Sequence, residues 1–265
     1  MDINFIPLLI LFTILTVAGV FLNKRRKRQQ ALASPFPPAW ITIIRQNLPP
    51  YAKLAPELQQ QLQQYTQEFL YDKSFEGCGG LQLDDEIKVT IAAQASLLLL
   101  NRQVRNYPKL FSVLVYPSTY VAKNELGEGS VRLGESWRTG AVVLAWDSVK
   151  RGARNFADGH NLVIHEFAHQ LDQEDGVGDG APILAEASCY ATWAQVLSRE
   201  YVRLCGKVDK GQKTVMDSYG ATNPAEFFAV ASETFFEKPL QLRRKHPDLF
   251  AELCKFYQVD PTDWK

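Results

Sequence analysis

A helix in the protein core, carrying a few polar residues, is indicated by residues 161–176, which read NLVIHEFAHQLDQEDG. The pattern His165-Glu166-x-x-His169 lies among Leu, Val, Ile, Phe and Ala, and it uses two of the four histidines in the chain. A helix that is apolar on most sides is usually buried. Because burying a carboxylate and two imidazoles without partners costs free energy, we expect these three side chains to share a common partner.

The spacing of the two histidines favours a metal site. Residues i and i+4 lie on the same face of a helix, so His165 and His169 can present two nitrogens to one metal ion. Glu166 lies about 100° further round the helix and cannot join them as a ligand, but it can take a proton from a water molecule held by the metal. Zinc peptidases divide the work between two histidines and a glutamate in this way. Asp172 is a candidate to hold one of the imidazoles.

A catalytic zinc ion needs a third protein ligand and one position left for water. In one class of zinc peptidase a glycine stands three residues after the second histidine, and a third histidine ligand stands six residues after it. Asp172 and Asp175 occupy those two places here, so this class is excluded. The remaining candidates are acids or a histidine further along the chain: Asp175, Asp179, Glu186, Glu226, Glu233 and His246.

Spacing along the chain slightly favours Glu186 over Glu226. Glu186 lies 17 residues after His169, within ILAEASCYATW, which we predict to be the next helix. Glu226 begins a later helix, NPAEFFAVASETFF, where a purely structural role is also open to it. Asn223 can be the N-cap and Pro224 the first helical residue, which would make Glu226 the third helical residue and a member of a capping box.

The main part of the chain predicts an α+β fold, mostly helical with a small mixed sheet. Residues 40–101 carry a helical pattern, and two β-branched segments follow, FSVLVYP at 111–117 and GAVVLAW at 140–146. From Asn161 onward the pattern is helical again, which predicts a helical lobe on each side of a cleft. GAVVLAW is either an edge strand that pairs with an extended peptide or an interior strand.

A separate N-terminal segment, residues 1–30, is predicted to be a membrane anchor. The 18 residues from Phe5 to Leu22 carry no charge, and as a helix they would span about 27 Å of the ~30 Å hydrocarbon core. Five cations, Lys24–Arg28, follow directly, and such basic flanks stay in the cytoplasm. We therefore predict a single uncleaved transmembrane helix in the inner membrane, a linker at 31–40, and a domain at 41–265 that faces the cytoplasm.

The charge distribution argues against nucleic acid as a partner. The whole chain has no net charge, and residues 1–30 hold five Lys or Arg against one acid, Asp2, so residues 31–265 carry a net charge of −4. That part therefore lacks the basic surface that nucleic-acid binding needs. The four cysteines are scattered, with no C-x-x-C pair, and are predicted to be free thiols of a reducing compartment.

Two motifs taken together, HEFAHQLD and DSYGATNPAEFFAVASETFF, closely resemble the Mlc titration factor A family of bacterial zinc peptidases. The resemblance runs from about Phe69 to Phe256 and includes FEGCGGLQLDDEIKVTIAAQASLLLLN and GESWRTGAVVLAWDSV. The pairing of H-E-F-x-H with S-Y-G-x-T-N-x-A-E-F-F-A is also similar to the catalytic domain of anthrax lethal factor.

The resemblance implies a zincin-like fold of the gluzincin type and a site built around Zn2+. The implied zinc ligands are His165, His169 and Glu226, with Glu166 as general base and Tyr219 facing the metal to stabilise the transition state. The implied activity is hydrolysis of a peptide or protein substrate, with an aminopeptidase-like mode as one form of it. The alternative is a regulatory protein that sequesters a transcriptional repressor of sugar uptake. The intact Glu166 favours the enzyme, because binding zinc alone does not require it.

Overall fold

Residues 6–102, 106–123, 129–132, 134–137 and 140–264 are described by the structure, a computed structural model of the 265-residue chain. The chain divides into two compact units, Met1–Phe36 and Pro37–Lys265. The predicted anchor falls in the first unit, and the whole of the predicted peptidase domain, residues 41–265, falls in the second.

The first unit holds one long helix, α1 (Ile6–Ala33), of 28 residues. The helix continues through the basic run because Lys, Arg, Gln and Ala are good helix formers. It ends where Pro35 disfavours helical geometry at the residue before it. The predicted linker at 31–40 is therefore shorter in the structure, since residues 31–33 belong to α1 and a second helix begins at Pro38.

The predicted transmembrane segment finds no support in the structure. No helix in the described part of the chain has the length and hydropathy required to cross a membrane. Phe5, where the predicted span begins, and the side chains of residues 6–15 lie outside the described residues. The anchor therefore stays a prediction from the sequence.

The second unit is mostly helical. Its helices are α2 (Pro38–Asn47), α3 (Pro56–Asp72), α4 (Asp85–Leu97), α5 (Trp146–Arg154), α6 (Leu162–Asp172), α7 (Cys189–Val208), α8 (Pro224–Glu237), α9 (Pro239–Lys245) and α10 (Pro247–Tyr257). Short 3₁₀ turns lie at Pro49–Lys53, Gln173–Asp175, Ser218–Ala221 and Pro261–Asp263. The strands are β1 (Ser74–Gly77), β2 (Ser112–Tyr116), β3 (Tyr120–Lys123), β4 (Gly129–Arg132), β5 (Gly134–Trp137) and β6 (Ala141–Ala145).

Four of the strands form one mixed sheet in the order β1-β2-β6-β5. Strands β1, β2 and β6 are parallel, and β5 is antiparallel to β6. Strands β3 and β4 form a separate antiparallel pair. The predicted α+β class is confirmed. The segment GAVVLAW supplies β6, which is buried along its whole length between β2 and β5. It is therefore an interior strand, and β1 and β5 are the two edges of this sheet.

Helix α6, which carries the histidine motif, is held by packing on several sides. It contacts α4, α8, α5 and the two strands β5 and β6. Its buried Phe167 makes ring contacts with Phe69 and Tyr107 at centroid distances of 5.6 and 4.8 Å, and aromatic pairs of this kind stabilise a core beyond the area they bury. The position of the motif is therefore fixed by the core of the second unit.

Candidate metal centre

Helix α6 presents the two histidines of the motif on one face. Its N-cap is Asn161, whose side chain accepts a hydrogen bond from the Ile164 amide at 3.1 Å, as N-cap residues do. His165 and His169 follow one turn apart, with ring centroids 4.8 Å apart. Their Nε2 atoms are 3.2 Å apart, so both imidazoles point at the same place.

Glu226 reaches that place from helix α8. Asn223 caps α8 by accepting a hydrogen bond from the Glu226 amide at 2.9 Å. The carboxylate of Glu226 turns toward the histidines, with Oε2 3.0 Å from His165 Nε2 and 3.3 Å from His169 Nε2. Ligand atoms of these three residues all lie within 4.8 Å of one another. The structure therefore brings Glu226 together with both histidines, and we call these three candidate ligands, His165, His169 and Glu226, the ligand triad.

The spacing of the three ligand atoms fits a tetrahedral metal. Ligands at about 2.0–2.1 Å from a zinc ion lie about 3.3–3.4 Å from each other in a tetrahedron, and the three separations here are 3.0, 3.2 and 3.3 Å. Two imidazole nitrogens and one carboxylate oxygen also form a donor set that catalytic zinc sites use, with one position left open. By spacing and by chemistry, the residues present fit a zinc ion.

The electrostatics of the site favour a positive charge between these residues. Burial acts to lower the pKa of His165, but the hydrogen bonds to Glu226 and Glu233 outweigh it and hold that pKa well above its ordinary value. Burial acts to raise the pKa of Glu226, but the hydrogen bonds to His165 and His169 outweigh it and hold that pKa well below its ordinary value. A divalent cation supplies the charge that this arrangement favours.

Glu166 is buried beside the ligand triad and is not one of its members; only 5% of it is exposed. Burial raises the pKa of its carboxyl above the ordinary value, although the neighbouring histidines oppose the rise. Strand β5 approaches it closely at Gly134, where a Cβ atom would lie 2.6 Å from Glu166 Oε1. A glycine is required at that point because any side chain would displace the Glu166 carboxylate.

Tyr219 lies on the 3₁₀ turn Ser218–Ala221 and lines the same cleft as the histidines. The turn is capped by Asp217, whose carboxylate accepts a hydrogen bond from the Tyr219 amide at 2.7 Å. The ring centroid of Tyr219 is 5.9 Å from that of His165, and 53% of the residue is exposed. The tyrosine is therefore close to the ligand triad on an open side of the site.

Glu233, one of the predicted ligand candidates, contacts the site differently. Its carboxylate accepts a hydrogen bond from His165 Nδ1 at 2.8 Å and another from the Asn161 amide at 2.5 Å. This bond fixes the tautomer of His165 and leaves Nε2 available as a ligand. Glu237, one turn later, accepts hydrogen bonds from the Gly159 amide at 2.8 Å and from Asn161 Nδ2 at 3.1 Å. The sequence carried a signal for the contact between Glu233 and the site, since residues 226 and 233 are two helical turns apart and share a face of the helix.

The other ligand candidates do not join the site. Glu186 is exposed and lies before α7, which begins only at Cys189, so the helix predicted around Glu186 is wrong. His246 is buried elsewhere and pairs with Glu200 at 2.6 Å. Asp175 and Asp179 accept hydrogen bonds from nearby backbone amides, those of Val177 and Ala181.

Asp172, the predicted partner of an imidazole, instead holds a turn. Both of its carboxylate oxygens lie 2.9 Å from the Gly180 amide, which donates to them. Burial raises the pKa of Asp172 to about 6, against the effect of this hydrogen bond. The hydrogen bond that orients the His165 imidazole therefore comes from Glu233 on α8, and not from Asp172 at the end of α6.

A cleft of about 1010 Å3 extends along α6 from Leu162 to Gln173. At the N-terminal end of α6 its lining comes from α5 and the preceding loop: Ser148, Arg151, His160 and Asn161. At the C-terminal end its lining comes from the acidic segment that follows the helix: Asp172, Gln173, Gly178 and Asp179. The ligand triad lies between these two ends, so an extended molecule in the cleft would pass over it.

Known proteins resemble this chain over most of its length. An uncharacterised protein of Synechocystis sp. is 41% identical over 244 residues, which cover 89% of this chain and 89% of that protein. Proteins named Mlc titration factor A in Yersinia pestis and Yersinia pseudotuberculosis are 32% identical over 226 residues, which cover 81% of this chain and 83% of theirs.

The family model described as glucose-regulated metallo-peptidase M90 matches residues 22–258. The matched range contains both histidines of the motif, Glu166, Tyr219 and Glu226. The resemblance inferred from the two motifs is confirmed by this match and by the Yersinia relatives. The chain therefore belongs to the glucose-regulated metallo-peptidase family M90.

Proposed function

We propose that the protein is a zinc-dependent peptidase of the gluzincin type, in which His165, His169 and Glu226 hold the ion and Glu166 is the general base. The proposal rests on one observation. Three ligand atoms from α6 and α8 converge at spacings of 3.0–3.3 Å beside a buried carboxylate that is not a ligand. A purely structural zinc site usually has four protein ligands, most often cysteines and histidines. It does not require a buried carboxylate such as that of Glu166 beside the ligands.

A zinc ion held by His165, His169 and Glu226 would supply a Lewis acid that lowers the pKa of a water molecule to about 7 and polarises the substrate carbonyl. The Glu166 carboxylate would take a proton from the attacking water molecule as the new C–O bond forms. Burial raises its pKa, which helps it to retain the proton until the C–N bond breaks. It then passes the proton to the nitrogen of the leaving amine.

We assign stabilisation of the oxyanion to Tyr219. A phenol hydroxyl that donates a hydrogen bond to the tetrahedral intermediate contributes more as negative charge develops there. The position of the ring near His165 and on the cleft surface supports this role. We expect Tyr219→Phe to lower kcat by about 100-fold while the metal content stays the same. An unchanged kcat would remove Tyr219 from the mechanism.

We propose that the substrate backbone pairs with β5. Among the described residues β5 is one of the two edges of the four-stranded sheet and the one that contacts α6, and an extended peptide can add a strand at such an edge. The strand runs along α6 in the same direction. Gly134 lies against Leu162 and Glu166 near the start of α6, whereas Ser136 accepts a hydrogen bond from Gln170 near its end, at 2.6 Å.

A peptide that pairs antiparallel to β5 therefore has its amino end at the C-terminal end of α6. Asp179 lines the cleft there, and the segment 172–179 carries four acids. Carboxylates at that end favour a free N-terminal ammonium group. This charge pattern supports an aminopeptidase-like mode, in which cleavage falls near the N-terminus of the substrate.

Purified full-length protein tests the proposal directly. We expect about one zinc per chain, and hydrolysis of a peptide library with new N-termini located by mass spectrometry. N-terminal acetylation of the library should reduce cleavage if the aminopeptidase-like mode is correct. Glu166→Gln should keep the metal and lose hydrolysis, because the base is not a ligand. Loss of zinc from this variant, or cleavage at the wild-type rate, would refute the assigned role.

The second candidate function is binding of a transcriptional repressor of sugar uptake. It is favoured by the name Mlc titration factor A, which the Yersinia relatives carry. The two functions respond differently to one variant: Glu166→Gln should abolish hydrolysis but leave repressor binding intact. Co-elution of a purified sugar-uptake repressor with both forms would support the binding role, and its absence would leave hydrolysis as the function.

We also propose, on the sequence alone, that residues 1–28 anchor the protein in the inner membrane with the remainder in the cytoplasm. The 18 uncharged residues from Phe5 to Leu22 and the five cations after them support this. Carbonate extraction of membranes and a reporter fused to the C-terminus test it. A full-length protein that stays in the supernatant, or a periplasmic C-terminus, would refute it.

A further inference from the structure

Helix α5 brings one cation to the N-terminal end of the cleft. Gly152 of α5 packs directly against the N-cap of α6, since a Cβ there would be 3.2 Å from Asn161 Cγ. Ser148 and Arg151 lie on the same helix and line the cleft. Arg151 is therefore next to the start of α6, and His165 follows one turn further along the cleft.

Arg151 differs from the other charged residues that line the cleft. It is the one Lys or Arg among the described lining residues, whereas six lining residues are acids: Glu166, Asp172, Asp179, Asp217, Glu226 and Glu233. Its side chain is exposed, and no described residue forms an ion pair with it. A guanidinium group without a protein partner is well suited to bind a carboxylate through two parallel hydrogen bonds.

Asp217, beside His160 at this end of the cleft, already has partners of its own. Asp217 accepts the hydrogen bond from the Tyr219 amide at 2.7 Å, and its other oxygen is 3.8 Å from His160 Nε2. The remaining acids of the lining belong to the ligand triad and its supports or lie toward the C-terminal end of α6. The one cation of the described lining therefore lies at the N-terminal end of α6, whereas Asp179 lies at the C-terminal end.

We infer that Arg151 is a specificity-determining residue that binds a substrate carboxylate on the leaving-group side of the cut bond. The inference rests on the proposed function. A peptide that runs antiparallel to β5 places its amino end near Asp179 and the residues after the cut bond near Arg151. Two carboxylates could be bound there: an Asp or Glu side chain after the cut bond, or the C-terminal carboxylate of a short peptide.

Three peptides of one length distinguish these two sources. The first is neutral with an amidated C-terminus, the second has the same sequence with a free C-terminal carboxylate, and the third is amidated with Glu after the cut bond. We expect wild-type protein to prefer one or both acidic peptides over the neutral one by on the order of 10-fold in kcat/KM. That preference should weaken in high salt, because the contact is partly exposed.

Variants at position 151 test whether this preference comes from the guanidinium. Arg151→Gln should remove the ratio between acidic and neutral peptides, and Arg151→Glu should reverse it in favour of a peptide with Lys after the cut bond. The matched control is Arg154→Gln, which changes an exposed arginine of the same helix that does not line the cleft. It should leave the wild-type ratio unchanged. An equal ratio in wild-type protein and Arg151→Gln would overturn the inference.

A binding measurement keeps this inference separate from the proposed function. Fluorescence anisotropy with the Glu166→Gln protein measures the affinity for labelled forms of the same three peptides without cleavage. Tighter binding of an acidic peptide, lost on adding Arg151→Gln, would support the carboxylate subsite even if no peptide is hydrolysed. If neutral peptides are cleaved but neither affinity nor kcat/KM depends on Arg151, the subsite fails and the peptidase stands.

Discussion

Two regions that follow the histidine motif each carry a glutamate, and only one delivers it to the site. Residues 183–188, with Glu186, form an exposed segment before α7, and the carboxylate of Glu186 contacts Ser188 of the same segment at 3.1 Å. Helix α8 is buried from Phe227 to Glu237, and it carries Glu226 to within 3.3 Å of both histidines. The glutamate that meets the histidines comes from the region that is more distant along the chain.

The difference between the two regions is one of packing. Helix α8 is apolar nearly all round, so it must be surrounded by other elements, and it packs directly against α6. Its three glutamates at 226, 233 and 237 are its charged residues, and all three contact α6 or the loop that leads into it. The segment 183–188 has no comparable apolar face. An acid in an apolar helix is therefore a stronger candidate ligand than an acid that is merely close to the motif in sequence.

The largest expected effect tests this comparison directly. Glu226→Gln should lower zinc affinity by more than 100-fold, because it removes the carboxylate of the triad. Losing a residue that only hydrogen-bonds to a metal ligand lowers affinity by about 10–100-fold. Glu186→Gln is the matched control and should keep wild-type affinity, since Glu186 is exposed and does not line the cleft that holds the histidines. Competition with a chelator, followed by metal analysis, measures both. Zinc lost from Glu186→Gln and kept by Glu226→Gln would reverse the assignment.

The part of the site that lies on helix α6 could be predicted from the sequence alone, because its residues are close together along the chain. Periodicity and the two histidines predicted helix α6, and the structure adds only its cap, Asn161. The sequence also predicted the α+β class and, as one of two alternatives, the interior position of β6. These features depend on residues a few positions apart or on a continuous apolar run.

The remaining features depend on contacts between distant segments, which spacing does not reveal. The choice of Glu226 needed the resemblance to a family, because 57 residues separate it from His169. The bond between Glu233 and His165 joins residues 68 positions apart, so Glu233 was a ligand candidate rather than the support of a ligand. Asp172 was a candidate to support an imidazole because it is close in sequence, but both of its oxygens accept the hydrogen bond of the Gly180 amide.

The next largest effect concerns Glu233, which belongs to α8 but is not a ligand. Glu233→Gln should weaken zinc binding by about 10-fold, because an amide accepts a weaker hydrogen bond from His165 Nδ1 and cannot accept at both oxygens. The melting temperature shows whether the variant is folded. Affinity that falls as far as in Glu226→Gln would make Glu233 a ligand, and affinity equal to that of Glu186→Gln would deny it any role.

A smaller effect concerns the pH dependence of the free energy of unfolding. It compares the buried Glu237 of α8 with the exposed Glu186. Burial raises the pKa of Glu237 from 4.5 to about 8, against the hydrogen bonds from Asn161 and Gly159. The folded state then binds more protons than the unfolded state between these values, so this residue's contribution to stability is complete below pH 4.5 and is lost as pH rises to 8. The slope is at most about 1.4 kcal/mol per pH unit. Glu237→Gln should flatten it in urea unfolding from pH 5 to pH 8, whereas Glu186→Gln should not.

The smallest expected effect concerns the N-cap residues of α8 and α7. The Asn223 side chain accepts the Glu226 amide hydrogen bond at 2.9 Å, whereas Ser188 at the start of α7 makes no such cap. Asn223→Ala should therefore cost about 1 kcal/mol, or about 2–4 °C in melting temperature for a unit of this size. Ser188→Ala should change stability by less than about 0.5 kcal/mol. Thermal unfolding of the two metal-free variants measures the difference. Equal losses would show that the cap does not distinguish the two helices, and the position of Glu226 would then depend on the packing of α8 alone.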